Sequence, residues 1–411
     1  MQIADLSSLR RRARDRLPVV LLGGLNVVRA LGLGGIPVIV ASPDDDEPGL
    51  YSRYCVMRWR LPPLRDADAV LESLESLAAR LRGVYGQPVP LFFSNDGYLD
   101  FVNTYRYRLA CRFRMLLNDA DTTHALLDKD RFAPFAAERG LPVPRSLHWE
   151  GSLDRHPRPV LIKPASKHGS NQVPGLADVF KGAKAILRAN GEAVLSDPAL
   201  HRMRHHVVFH EYIAGDDRDL WCLDAVADET GNILACHTGR KLRCHPPLTG
   251  DSSYIELRRN VELEAVGREI AQRVPLRGIF NMDFKRDAST GRYYLLEINA
   301  RCNLWNYIGA RNGLNLTKVY YDYLLTRARP AHVGFGRRFR WIDFKLDRAA
   351  YRALAGAGKL GRARWVASLL RPKIYSLFAW RDPNPFLRLA LMRANRRVGR
   401  GPIARIGLSR L

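Results

Sequence analysis

Over the first quarter of the chain, short wholly apolar runs alternate with stretches of helical spacing. Val19-Val20-Leu21-Leu22 reads as a buried strand that stops at Gly23-Gly24. Asn26, Val28, Leu31 and Leu33 then follow a helical period, and Pro37-Val38-Ile39-Val40-Ala41 is a second buried strand. This is a β-α-β unit, expected to be parallel and right-handed. Apolar spacing predicts a helix over Val70 to Leu81, and Val89 to Phe93 reads as a third strand ending at Ser94-Asn95-Asp96-Gly97. Gly23-Gly24 reads as a tight turn, because G-x-G-x-x-G is absent and no acidic residue suitably ends the second strand. Asp96 is a helix cap or a substrate contact.

The period changes after residue 118. A helix from Leu126 runs through Phe132, Phe135 and Ala136 to a C-cap at Gly140. Val160-Leu161-Ile162-Lys163-Pro164 is a strand stopped by proline, followed by the small-residue loop Ala165 to Ser170. Val207 to Ile213 is another strand. Residues 221–330 read as antiparallel strands with a helix from Val261 to Arg273, and residues 331–411 as basic, aromatic-bearing helical segments.

The sharpest pattern is Phe280-Asn281-Met282-Asp283-Phe284-Lys285, a polar turn, then Tyr293 to Arg301. A hairpin centred near Thr290 sets Phe280, Met282 and Phe284 against Tyr294, Leu296 and Ile298 on an apolar face. The other face carries Asn281, Asp283 and Lys285 with Leu295, Glu297, Asn299 and Arg301. Asp283 then lies across from Glu297, and Asn281 from Asn299. Directly opposed Cβ atoms are about 5 Å apart, and like charges there repel. Two facing carboxylates with two amides suit a hard cation such as Mg²⁺, which takes one or two carboxylates and leaves room for phosphate oxygens. A merely solvated polar face is the equal alternative on this pattern taken by itself.

Composition narrows the class. The 411 residues are 46% hydrophobic, enough for two or three domains. No apolar run is long enough to span a bilayer, and the basic start Met1 to Arg16 precedes too short an apolar run for a secretory signal, so a cytoplasmic location is expected. The six cysteines form no C-x-x-C pair and read as reduced thiols. His201, His205, His206 and His210 lack an accompanying carboxylate and read as a basic helix end. The net charge is +24, of which residues 331–411 hold +16, from 19 Lys and Arg against three Asp. That segment suits an anionic membrane surface, an acidic polysaccharide or a solvated flank; nucleic acid is disfavoured for want of a motif.

Taken in order, Lys129 in Leu127-Asp128-Lys129-Asp130-Arg131-Phe132, Gly140-Leu141-Pro142-Val143-Pro144, Ile162-Lys163-Pro164, the loop to Ser170, Glu211 to Asp217, and Asp283 with Glu297-Ile298-Asn299-Ala300-Arg301 resemble the ATP-grasp superfamily, and loosely its predicted carboxylate–amine ligases. The resemblance covers roughly residues 19–325. It implies an α/β fold: an N-terminal parallel pre-ATP-grasp domain (1–118), a two-lobed α+β ATP-grasp module (119–330, lid lobe about 150–210) and a basic C-terminal helical extension (331–411). It further implies ATP with Mg²⁺, or Mn²⁺, held by Asp283, Glu297 and Asn299. Lys129 and Lys163 would contact the phosphates and Ser166, Gly169 and Ser170 would fold over them. Glu211, Tyr212 and Ile213 would meet the adenine edge and Asp217 the ribose, with Asp216 its rival. Arg240, Lys241 and Arg301 would face the transferred phosphoryl group.

The expected activity is amide-type bond formation between a carboxylate and an amine through an acyl phosphate, in the cytoplasm or peripherally at the inner membrane surface, in a cell-envelope or polysaccharide setting. Phosphoryl transfer without ligation, or an idle nucleotide-binding scaffold for polyanions or membranes, are the competing readings. The absence of an A-M-K-M lysine argues against biotin-dependent carboxylation. Neither substrate is named by the residues, nor is the oligomeric state.

Overall fold

The structure, a computed structural model, describes residues 16–165, 173, 175–181, 183 and 185–398; for Lys129 and residues 395–398 it describes backbone only. Among the described residues the strands form three sheets.

The first is parallel, in the order β3-β2-β1-β4, with β1 Val19–Leu22, β2 Val38–Ser42, β3 Cys55–Arg60 and β4 Leu91–Phe93. Every residue of β1 and β2 is buried, which is why both read as continuous apolar runs. The edge strand β3 escapes that signal. Its residues Cys55-Val56-Met57-Arg58-Trp59-Arg60 are mostly half-exposed, so β4 is the fourth strand and not the third. Helix Ala67–Tyr85 carries the predicted apolar stripe and is N-capped by Asp66. Gly24, at φ 82°, lets the chain turn past β4: a Cβ there would lie 2.6 Å from Ser94 Oγ.

The second sheet, β5-β8-β6-β7, forms a small lobe from Ser146–Leu147, Val160–Pro164, Ile186–Arg188 and Val207–Glu211, taken as β5 to β8 in chain order. It has its own core around Val160, Ile162, Leu200 and Phe209. The third sheet is the body of the molecule. It runs β13-β12-β9-β10-β11-β14-β15, with β9 Leu220–Ala227, β10 Ile233–His245, β11 Asp251–Leu257, β12 Gly278–Arg286, β13 Tyr293–Asn299, β14 Arg340–Ile342 and β15 Lys373–Tyr375. Its back face carries Leu223, Ala225, Phe280 and Met282 against helix Val261–Arg273.

The basic region after residue 331 is helical as expected, with helices Phe344–Gly356, Arg362–Ser368 and Asn384–Val398. It also supplies β14 and β15, which extend the central sheet. Two buried ion pairs fasten it. Arg243 meets Asp347 at 2.7 Å, and Arg29 of the N-terminal sheet domain meets Asp382 at 2.9 Å. Removing one member of such a pair leaves a buried charge uncompensated, so both act as rivets.

Candidate active site

The carboxyl end of the central hairpin is built as the alternation predicts. Asp283 pairs with Glu297 and Asn281 with Asn299. Between Asp283 and Phe284 the ladder then slips by one residue, so Phe284 faces Leu295 instead of Leu296. The bulge corrects half of the expected register: Leu295, expected on the polar face, is fully buried in the core, while Leu296 turns to line the cleft beside Glu297.

The polar side chains of this face form a continuous chain of contacts. Asn299 donates to Asn281 Oδ1 at 3.4 Å and to Glu297 Oε1 at 3.2 Å. Arg301 donates to Asn299 Oδ1 at 3.1 Å and meets Asp96, at the end of the parallel sheet, at 2.6 Å. Asp96 is thus the partner of Arg301, and Asn95 is the helix cap. Lys241, on β10, reaches Asp283 Oδ2 at 3.4 Å. Asp283 Oδ1 is buried with no hydrogen-bond partner. Burial raises the pKa of the Asp283 carboxyl, Lys241 opposes the rise and Glu297 reinforces it, and the net is upward. Burial would lower the Lys241 pKa, but Asp283 and Glu297 outweigh it and hold the ammonium charged.

An orphaned, buried carboxylate oxygen facing a second carboxylate is the environment that a divalent cation relieves. Asp283, Glu297 and Asn299 fit Mg²⁺ by donor type, all oxygen with two negative charges. The histidine series gathers no metal set: among the described residues no group of three His, Cys, Asp or Glu side chains is placed to hold a metal ion.

Beside this cluster lies a mostly apolar cleft between the small lobe and the central sheet, with about 1040 Å³ of open space. Lys163, Glu211, Tyr212 and Ile213 line it together, with Leu161, Leu220, Leu248 and Glu297.

Other expected residues are placed differently. Asp217 does not line the cleft; its carboxylate accepts Cys244 N at 2.7 Å and Leu248 N at 2.6 Å, pinning the turn that carries Leu248 and Thr249. Asp216 caps the short turn beside it. Arg240 points to the back face, pairing with Glu256 at 2.8 Å over the Trp221 ring, so adjacent residues Arg240 and Lys241 serve opposite faces. Ser166, Gly169, Ser170 and the Lys129 side chain lie outside the described residues.

Two residues carry no role in the sequence reading. Lys285 lines the cleft and donates to Asp216 O at 2.6 Å. Asp224, fully buried on β9, accepts from Asn303 at 2.7 Å and Asn281 at 3.3 Å, and burial pushes its carboxyl up to about 7. It thereby orients the Asn281 amide beside the candidate cation site. Its signal was a lone acid inside the otherwise apolar run Leu220 to Ala227.

No family model matches the chain. Over 292 residues it is 25% identical to a D-aspartate ligase of Enterococcus faecium (strain Aus0004), spanning 67% of this chain and 68% of the relative. L-amino acid ligase from Bacillus licheniformis has a similar structure, with TM-score 0.53 and 13% identity over 75% of this chain and 73% of that one. So does the biotin carboxylase domain of Hydrogenobacter thermophilus 2-oxoglutarate carboxylase, crystallised with magnesium ADP, ADP and bicarbonate, with TM-score 0.55 and 14% identity over 79% and 73%. The resemblance to ATP-grasp carboxylate–amine ligases, and the fold it implied, are borne out.

Proposed function

We propose that the chain is an ATP-dependent ligase that phosphorylates a carboxylate and couples the resulting acyl phosphate to an amine, giving an amide, ADP and phosphate. The observation that carries this reading is the half-buried, directly opposed pair Asp283 and Glu297, ringed by Asn281, Asn299 and Lys241, at the edge of an apolar cleft. Mg²⁺ held by Asp283, Glu297 and Asn299 would supply charge neutralisation for the terminal phosphates; Mn²⁺ has the same oxygen preference.

The chain's own groups do the rest. The cleft walls around Tyr212 and Ile213 bind the base and exclude water. Lys163 and Lys285 line the same cleft, and on this reading they meet the phosphate oxygens. Lys241 holds a fixed positive charge beside the cluster, suited to the oxygens of the phosphoryl group in transit. Arg301, steered by Asp96 and Asn299, is positioned for the carboxylate that attacks. No proton need leave that carboxylate; the amine loses one when it displaces phosphate.

An aspartate-like amino acid is the first carboxylate to test, because the relative is a D-aspartate ligase. The amine acceptor belongs to the same proposal, in a cell-envelope or acidic-polysaccharide setting served from the cytoplasm. The test is incubation with MgATP, D-aspartate and a panel of amines, followed by mass spectrometry. ADP and phosphate formed in step with an amide support the reading. A stable phosphorylated product without amide would replace it with simple phosphoryl transfer.

A further inference from the structure

Near its carboxyl end the chain exposes a hydrophobic patch that the proposed chemistry does not use. Trp380 is 88% exposed, Leu391 59%, Leu387 50% and Phe386 40%. Phe378 ties them together, its ring 4.9 Å from that of Trp380 and 5.6 Å from that of Phe386. Along helix Asn384–Val398, Leu387, Ala390, Leu391 and Ala394 are all exposed at the i, i+3, i+4, i+7 spacing of one helical stripe. The apolar stripe of this helix faces outward.

The patch is mounted rigidly. Asp382, two residues from Trp380, is buried and accepts from Arg29 at 2.9 Å, Ser52 Oγ at 2.9 Å and Arg53 N at 2.8 Å. Arg388 lies over the Tyr51 ring at 5.3 Å, fixing the helix to the N-terminal domain. The surroundings are cationic. Arg53, Arg381, Arg388 and Arg393 are exposed around the patch. From Trp380 to Ala394 the one acid is Asp382, and its charge is spent on Arg29. The segment leading to Tyr51 also carries Asp44, Asp45, Asp46 and Glu47, of which Asp45 is paired with Arg60.

We infer that this patch seats the protein on an anionic lipid surface, with Trp380, Leu387 and Leu391 entering the headgroup–acyl boundary and the arginines meeting lipid phosphates. A nucleic acid would satisfy the arginines and the tryptophan but leave the leucine stripe wet. An acidic polysaccharide fails on the same count. A second copy of this chain would bring like charge against like. A bilayer with anionic headgroups complements both the stripe and its rim. The inference stands apart from the ligase reading, since it uses no residue of the cleft.

The test is co-sedimentation of the full chain with phosphatidylcholine vesicles, with and without roughly 30 mol% phosphatidylglycerol. Wild type is expected to bind the anionic vesicles at least about tenfold more tightly, and to release as salt screens the arginines. L387E/L391E, and separately W380A at a site too exposed to matter for folding, should each weaken binding about tenfold with unchanged melting temperature. Equal sedimentation of wild type and both variants overturns the inference, as does failure of wild type to bind. Light scattering that shows a dimer split by L387E/L391E, without vesicle binding, assigns the patch to self-association and also overturns it.

Discussion

The two faces of the central sheet are made by alternate residues of the same strands, yet they obey opposite rules. On the back face Phe280, Met282 and Phe284 are fully buried against helix Val261–Arg273 and its surroundings. Each contributes roughly 1.5–3 kcal/mol by leaving water. On the front face Asn281, Asp283, Asp224 and Lys241 are also largely withdrawn from water, and there burial is a cost offset by hydrogen bonds and ion pairing. Folding does not account for two facing carboxylates; the cation required by the proposed reaction would. The back face is therefore where stability resides, and the front face is where it is given up for chemistry.

The largest effect should come from the front face. Asp283→Asn, and likewise Glu297→Gln, should cut magnesium-dependent ADP formation by roughly 10⁴-fold or more, to the assay background. The melting temperature should hold, because the relief of like-charge repulsion is offset by the weakened pairing of Lys241. Full activity in both variants would break the comparison at its root. On the back face Phe280→Ala should cost about 3–5 kcal/mol of stability, read from denaturant titration. Whatever protein stays folded should keep its turnover per active molecule; a folded but inactive Phe280→Ala would show that the faces are not separable.

Adjacent residues give a finer cut. Lys241→Met should lower turnover about 10²-fold by removing a preorganised charge. Arg240→Met should change it by less than about tenfold, since its partner is Glu256 on the far face. Equal losses would return Arg240 to the active site, where the sequence had put it.

The Arg240 result shows how far parity can be read from a sequence. Alternation gave the paired positions Asn281/Asn299 and Asp283/Glu297 correctly, because both pairs lie on one side of the bulge. It failed at Leu295, because a bulge is decided by three-dimensional packing and leaves no local signature. It failed at Arg240 because no partner strand pinned which face of β10 was which. The apolar runs of β1 and β2 were legible since both their faces are buried, whereas β3 was not, its residues being half-exposed at an edge. Asp217 resembled a ribose ligand by position, but the backbone amides of Cys244 and Leu248 claim its oxygens, a contact across 27 and 31 residues that no linear pattern carries. Lys163, Glu211, Tyr212 and Ile213 were named through the family resemblance and not through any pattern of their own, and two strand ends bring them to one cleft.

The smallest expected effect tests the front face away from the cation site. His237 lies on β10 opposite Asp224, fully buried against Gly309 and the Phe335 ring, with neither ring nitrogen hydrogen-bonded. Burial lowers its pKa from 6.5 to about 3. The folded state therefore keeps a neutral imidazole at pH values where the unfolded chain takes up a proton. That linkage leaves stability intact above about pH 6.5 and removes it progressively as pH falls toward 3. His237→Leu fills a comparable volume without buried unpaired nitrogens, so it should change stability at pH 8 by about 1 kcal/mol or less. The gap in melting temperature between variant and wild type should then widen in the variant's favour as pH is lowered from 7 to 4. A gap that stays constant over that range would mean that His237 is protonated in the folded protein. In that case the front face carries a charge deeper in the sheet than its geometry implies, and the line between the stabilising and the chemical face would have to be redrawn around it.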